Sequence, residues 1–255
     1  MLVFAHRGAS AELPEHTLAA YLRALADGAD GLECDVRLTR DGHLVCVHDW
    51  RLNRTSNGRG LVSRRTLSEL HELDFGSWHE GAPNADDPEL TRVLTLDRLL
   101  GAVQAAGRPV QLLIETKHPT KFGAEVERKL LQLLAEHGLA TPDSGNPVQV
   151  TVMSFSPMAV RRVRTGAPGL PTVQLLDLIP PGMRTGRVPV GTPVAGPSVE
   201  LVRARPALVP ALRAAGKRVY LWTVNTAEDV ALARSLEVDG VITDRPADVR
   251  SALAA

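Results

Sequence analysis

The chain has 255 residues, 44% of them apolar, and its 29 basic residues balance 29 acidic ones. That length suits one large α/β domain or two small ones, with enough apolar residues for a sizeable core. The balanced charge argues against a nucleic-acid binder or a membrane-surface protein, which carry a basic excess, and no apolar run reaches the roughly 18 residues of a membrane span.

MLVFAHRG passes directly into a charged motif without the apolar region of a secretory leader, so cytoplasmic residence is expected. Strand-like runs follow at 2–6, 31–36, 43–48, 110–117, 148–155, 172–177, 218–225 and 239–244. Amphipathic helical stretches lie between most of them. Several end in glycine (Gly28, Gly107, Gly138, Gly216), the usual left-handed stop. Thr226 with Asp229 reads as a capping box, and Pro246 fits the first turn of a closing helix. Eight strands alternating with helices predict a single (β/α)₈ barrel over 1–255; a doubly wound open sheet is the alternative.

Two connections interrupt the rhythm. From Trp50 to Leu94 the chain carries its own helical signal, RTLSELHELDF, which predicts a small insertion at about 51–93 after the third strand. The Pro/Gly-rich stretch at 180–197 reads as an irregular loop before the helix 199–216. The two cysteines are expected to be free: Cys34 alternates away from Glu33 and Asp35, and Cys46 is placed on the His48 side, so the two face opposite ways.

Polar residues gather where the strands end: His6 and Arg7, Glu33 and Asp35, His48 and Asp49, Glu115 and Lys117, Trp222 and Asn225. A spacing of two sends Glu33 and Asp35 to one face, and likewise Glu115 and Lys117. In a barrel these ends converge at one mouth. Several buried like charges are costly unless a cation neutralises them. Glu33, Asp35 and Glu115 are the ligand type for Ca²⁺ or Mg²⁺ rather than zinc. Arg7 and Lys117 suit an anion, with phosphate the natural candidate. His6 and His48 suit proton transfer near neutral pH. The chemistry expected is metal-assisted cleavage of a phosphoester.

These residues also resemble a known family, the glycerophosphodiester phosphodiesterases. AHRGAS at 5–10 with PEHT at 14–17 is similar to its HRG…PENT opening, and ECDVRLTRDGHLVCVHD to its E-x-D…V-x-H-D core. NRTSNGRG at 53–60, TLSELHELDFGSW at 66–78, IETK at 114–117, MSF at 153–155, VYLWTVN at 219–225 and DGVITDRP at 239–246 extend the resemblance. It implies a (β/α)₈ barrel that hydrolyses small-molecule glycerophosphodiesters, such as glycerophosphocholine or glycerophosphoethanolamine, to glycerol 3-phosphate and an alcohol. It implies His6 and His48 as the acid–base pair and Glu33, Asp35 and Glu115 as metal ligands. Arg7 and Lys117 would hold phosphate, Trp222 would line the substrate pocket, and Glu15 would orient Arg7 or the metal ligands. The usual Asn of PENT is His16 here, expected to begin the first helix. A lysophospholipase D-like enzyme and a non-catalytic binding barrel are the alternatives.

Overall fold

The computed structural model describes residues 1–83, 88–143, 145–179 and 192–254. Eight parallel strands form the barrel: β1 (Leu2–His6), β2 (Gly31–Leu38), β4 (Val110–Thr116), β5 (Val148–Ser154), β6 (Thr172–Leu176), β7 (Val194–Pro197), β8 (Arg218–Leu221) and β9 (Gly240–Thr243). The sheet runs β1-β9-β8-β7-β6-β5-β4-β2, and pairing of Phe4 with Gly31 and His6 with Glu33 closes it. A closed parallel sheet leaves no edge exposed, and the intervening helices cover its outer face.

The count of eight is right, but its membership is not as read from the sequence. The predicted third strand is β3 (Leu44–Cys46), which folds back antiparallel on β2 in a hairpin outside the barrel. The missing stave, β7, lies within the stretch expected to be a loop; its residues 180–191 fall outside the described ones. β7 is short and built of small residues for a reason. A Cβ on Gly196 would stand 2.8 Å from Leu175 Cδ2 and 3.0 Å from Val173 Cγ1, so neighbouring side chains already fill its place. Such a strand carries no alternating pattern to read.

The helices are α1 (Leu18–Ala26), α2 (Leu67–His71), α3 (Leu96–Gln104), α4 (Glu125–Glu136), α5 (Pro157–Gly166), α6 (Val199–Ala204), α7 (Leu208–Ala214), α8 (Ala227–Ser235) and α9 (Pro246–Ala254). The single helix expected over 199–216 is two, because Pro206 disfavours helical backbone at Arg205 and cannot donate to the preceding turn. The Thr226–Asp229 capping box opens α8 with both of its reciprocal bonds. Among the described residues no helix is long and apolar enough to cross a membrane.

Strand alternation separates two cores. Phe4, Leu113, Met153, Val173, Leu175, Tyr220 and Ile242 fill the barrel interior, and the opposite faces pack against the helices. Phe4 plugs the interior where glycine is required twice. A Cβ on Gly31 would lie 2.6 Å from the Phe4 ring, and one on Gly240 2.8 Å from it. Between β3 and α3, Val47, Leu52, Val62, Leu70 and Phe75 form a separate small cluster. Both cysteines are buried and free. Their opposite-face placement is incorrect: the pairing of Val36 with Cys46 puts Cys34 and Cys46 on the same outer face, in one cluster.

Candidate active site

The parity that fills the barrel continues at its C-terminal end with polar side chains. Phe4 is followed by His6, Gly31 by Glu33 and Asp35, Leu113 by Glu115 and Lys117, Tyr220 by Trp222, and Ile242 by Asp244. A cavity of about 190 Å³ opens above the apolar plug, lined by His6, Arg7, Glu33, His48, Glu115, Lys117, Phe155 and Trp222 among others. Strand ends from around the barrel thus supply one site, the usual consequence of this architecture.

Glu33, Asp35 and Glu115 are buried, and one oxygen from each lies within 4.8 Å of the others. Arg7 Nε stands 3.1 Å from Asp35 Oδ2, and Lys117 Nζ lies 3.3 Å from Asp35 Oδ1 and 2.8 Å from Glu115 Oε1. With all three ionised, two cations against three carboxylates would leave one negative charge uncompensated in a low-dielectric place, which resists their joint ionisation. Burial, reinforced by Asp35, pushes Glu33 well above the usual carboxylate range and Glu115 to about 8. Asp35 goes the other way: burial opposes its ionisation, but Lys117, Arg7 and the His16 hydrogen bond together hold it well below. Three clustered, buried hard oxygen donors that oppose one another's ionisation fit a divalent cation of the Ca²⁺ or Mg²⁺ kind, whose charge would offset that repulsion.

Each histidine of the site is anchored by an aspartate. His6 Nδ1 is 2.6 Å from Asp244 Oδ1, and His48 Nδ1 is 2.7 Å from Asp49 Oδ1. Although burial opposes it, hydrogen bonds from His6, Asn225 and Ser10 hold Asp244 at about 2. Asp49 is also held at about 2 against its burial, by Arg54 and His48. An ionised carboxylate only accepts, so Nδ1 of each neutral imidazole carries the proton and Nε2 keeps its lone pair. Burial, with Arg7 and Lys117 nearby, lowers His48 to about 4.

The loop after β1 is folded tightly around Arg7. Arg7 has φ 61, His16 φ 60 and Gly8 φ 90; a Cβ on Gly8 would lie 2.7 Å from Ala20. Left-handed backbone at two non-glycine residues is strained, and the surroundings hold it. The Arg7 amide donates to Glu33 Oε2 at 3.1 Å, and its carbonyl accepts from the His16 amide at 3.0 Å. Glu15 accepts from Arg7 Nη1 at 2.9 Å and from Arg54 at 2.6 and 2.8 Å. Arg54 also donates to Asp49, joining the two loops.

Thr17, not His16, is the N-cap of α1. His16 is instead buried, with Nε2 2.9 Å from Asp35 Oδ2 and Nδ1 2.8 Å from the Tyr21 hydroxyl. Among the other histidines, His118 turns from the cavity to the buried Glu127, at 2.6 Å. His79 accepts from the Gly81 amide at 2.9 Å.

The geometry is that of a site for an anionic phosphodiester, and comparison with known proteins names it. A model described as the glycerophosphoryl diester phosphodiesterase family matches residues 6–248. The chain belongs to that family. It is 50% identical over 246 residues to the probable glycerophosphodiester phosphodiesterase 1 of Mycobacterium tuberculosis, covering 96% of this chain and 89% of that one. It is 35% identical over 251 residues to a glycerophosphodiester phosphodiesterase of Bacillus subtilis, covering 96% and 84% of the two chains. Its fold superposes on an Oleispira antarctica phosphodiesterase solved with the product sn-glycerol-3-phosphate, with TM-score 0.84, 25% identity, and 100% and 97% coverage. The chain is accordingly an enzyme, a glycerophosphodiester phosphodiesterase of the phosphoric diester hydrolase class.

Of the nine residues given roles by the resemblance, His6, Arg7, Glu33, His48, Glu115, Lys117 and Trp222 line this cavity, Asp35 lies against Arg7 and Lys117, and Glu15 lies against Arg7. The sequence reading missed Asp244, Arg54 and Phe155. Asp244 was legible in principle, since Gly240, Ile242 and Asp244 share the inward parity. Phe155, edge-on to Trp222 with centroids 5.4 Å apart, also shares inward parity. Arg54 lies in the NRTSNGRG stretch that carried part of the resemblance, but nothing local placed its guanidinium against Glu15, 39 residues earlier.

Proposed function

We propose that the enzyme hydrolyses small glycerophosphodiesters, such as glycerophosphocholine or glycerophosphoethanolamine, to glycerol 3-phosphate and an alcohol, in the cytoplasm, with Ca²⁺ or Mg²⁺ as cofactor. The observation that carries this reading is the pair of aspartate-anchored histidines at the cavity holding the three carboxylates. Glu33, Asp35 and Glu115 would hold the metal, which when bound supplies Lewis-acid stabilisation of phosphate charge. Arg7 and Lys117 orient the phosphate and meet charge developing on its oxygens. One histidine takes the proton from the nucleophile through Nε2; the other donates one to the departing alcohol oxygen as its bond to phosphorus breaks. The nucleophile is water or the neighbouring glycerol hydroxyl. Phe155, Trp222, Met153 and Leu175 offer an apolar wall to the glycerol carbons.

The cavity's size supports a small substrate, and the insertion's apolar side chains Leu70 and Phe75 are buried in their own cluster rather than open to an acyl chain. We assign one catalytic barrel to residues 1–255, with the segment at about 51–93 as its insertion. Two unbridged thiols agree with a reducing compartment. The test is release of glycerol 3-phosphate from a panel of diesters with EDTA, then with Ca²⁺ or Mg²⁺ restored. His6→Ala and His48→Ala are expected to lower the rate about 10²-fold or more while the fold persists. A near-unchanged rate in either variant would reject the acid–base assignment.

A further inference from the structure

A second cleft, of about 360 Å³, shares Lys117 with the active-site cavity. It lies between Trp50 with residues 61–64 on one side and the loop after β4 on the other, with Trp50, Val62, Arg64, Pro119 and Lys121 in its walls. We propose that this cleft receives the departing alcohol of the diester and selects an alcohol that is itself anionic, such as a phosphorylated polyol. The inference rests on the proposed function and specifies its substrate class.

Three observations carry it. The first is charge. The charged side chains lining the cleft are Arg37, Arg64, Lys117 and Lys121, and no carboxylate of the described residues lines it. Arg37 and Lys117 are engaged: Arg37 donates to the His48 carbonyl at 2.9 and 2.7 Å, and Lys117 pairs with Asp35 and Glu115. Arg64 and Lys121 are exposed, and among the described residues neither has an ion-pair partner. The Lys121 ammonium stands 4.8 Å from the Phe122 ring centre, a contact that leaves its charge unneutralised. The wall therefore carries two cations without an ion pair and no lining carboxylate among the described residues, a field that attracts a phosphate and repels a quaternary ammonium.

The second is Trp50, 63% exposed although its backbone is pinned by a 3.1 Å hydrogen bond from the Val62 amide. The Arg51 guanidinium lies 5.7 Å from its ring centre. An indole held out from the surface beside apolar walls offers a stacking plane to the C–H face of a polyol. The third is continuity. His48 lines the catalytic cavity, Trp50 follows it by two residues, and Arg37 of the cleft holds the His48 carbonyl. An alcohol leaving past His48 enters this cleft: its oxygen gains a proton from the acid histidine as its bond to phosphorus breaks, and glycerol 3-phosphate stays in the apolar-walled cavity.

The test is kcat/KM of the metal-loaded enzyme for glycerophosphocholine, glycerophosphoinositol and glycerophosphoinositol 4-phosphate, in which the alcohol is cationic, neutral and anionic. The expected order rises with negative charge, about tenfold from end to end at low salt, and narrows at 0.5 M salt as screening sets in. The Arg64→Glu/Lys121→Glu double variant is expected to cancel or reverse that ratio. A flat or inverted order in the wild-type enzyme would overturn the inference, as would an unchanged ratio in the double variant. If that variant fails to fold, the wild-type order and its salt dependence decide alone. Faster turnover of lysophosphatidylcholine than of any of the three would assign the cleft to an acyl chain and overturn it as well. Turnover of no diester would overturn the proposed function, whereas turnover without preference rejects only the cleft.

Discussion

His6 Nδ1 lies 2.6 Å from Asp244 Oδ1, across 238 residues of sequence, because β1 and β9 are neighbours in the barrel. The aspartate is itself fixed by Asn225 Nδ2 at 2.6 Å and by the Ser10 hydroxyl at 3.0 Å. The contact sets which ring nitrogen carries the proton. Asp244→Asn removes that constraint without changing shape. We expect kcat to fall about 10²-fold or more with little change in KM and an unaltered circular dichroism spectrum. An activity within a fewfold of wild type would show that Asp244 does not set the tautomer.

His16 touches a carboxylate of the acidic triad and not the cavity. Its Nε2 bond to Asp35, with Nδ1 against Tyr21, fixes that carboxylate's direction. His16→Ala is expected to weaken Ca²⁺ or Mg²⁺ binding about tenfold and to destabilise the fold, since it leaves buried polar atoms without partners. His16→Asn, the residue of the related motif, is expected to restore much of both. Equal metal affinity in wild type and His16→Ala, by titration calorimetry, would remove His16 from this role.

Glu15 links pH to stability. Its burial alone would raise it, but the Arg54 hydrogen bonds and the Arg7 charge prevail and hold it at about 2 instead of the ordinary 4.5. A carboxylate depressed in the folded state stabilises fully above its unfolded value, and that stability is lost as pH falls from about 4.5 through 2. The contribution at neutral pH is at most roughly 3.5 kcal/mol. Arg54→Ala should therefore lower urea stability at pH 7 by about 1–2 kcal/mol, with the deficit closing near pH 2. A deficit that does not shrink on acidification would place the effect of Arg54 elsewhere.

The acidic triad makes a thermal prediction independent of turnover. Ca²⁺ or Mg²⁺ well above its dissociation constant should raise the melting temperature, because it binds the folded state alone. At 100-fold excess the gain is about 2.7 kcal/mol, several degrees for a chain of this size. EDTA should reverse it, and Glu115→Gln should abolish it. A melting temperature indifferent to both ions would reject the triad as their site.

Much of this site is local in sequence, and so it was legible. Glu33 and Asp35, or Glu115 and Lys117, share a face because a strand alternates with period two. Strand ends are marked by polar residues after apolar runs, and the motif spacing matched a family signature. What depends on closure was not legible. β3 carries a stronger strand pattern than β7, yet only β7 is a stave. Side-chain pattern reports burial of a segment, while barrel membership is decided by which backbones pair. The cysteines came out on one face for the same reason, since hairpin register was needed to relate them.

The class of chain, the alternation of strand and helix, and the chemical types gathered at strand ends were all readable from residue order, because periodicity and composition act over a few residues. Folding of the whole chain was needed to show that His16 braces Asp35, that Asp244 holds His6, that Arg54 ties Glu15 to Asp49, and that Arg64 and Lys121 face a cleft without a carboxylate among the described residues. Most of these relations join residues tens to hundreds of positions apart, and it is the pairing of strands and packing of loops around the closed barrel that brings such residues together.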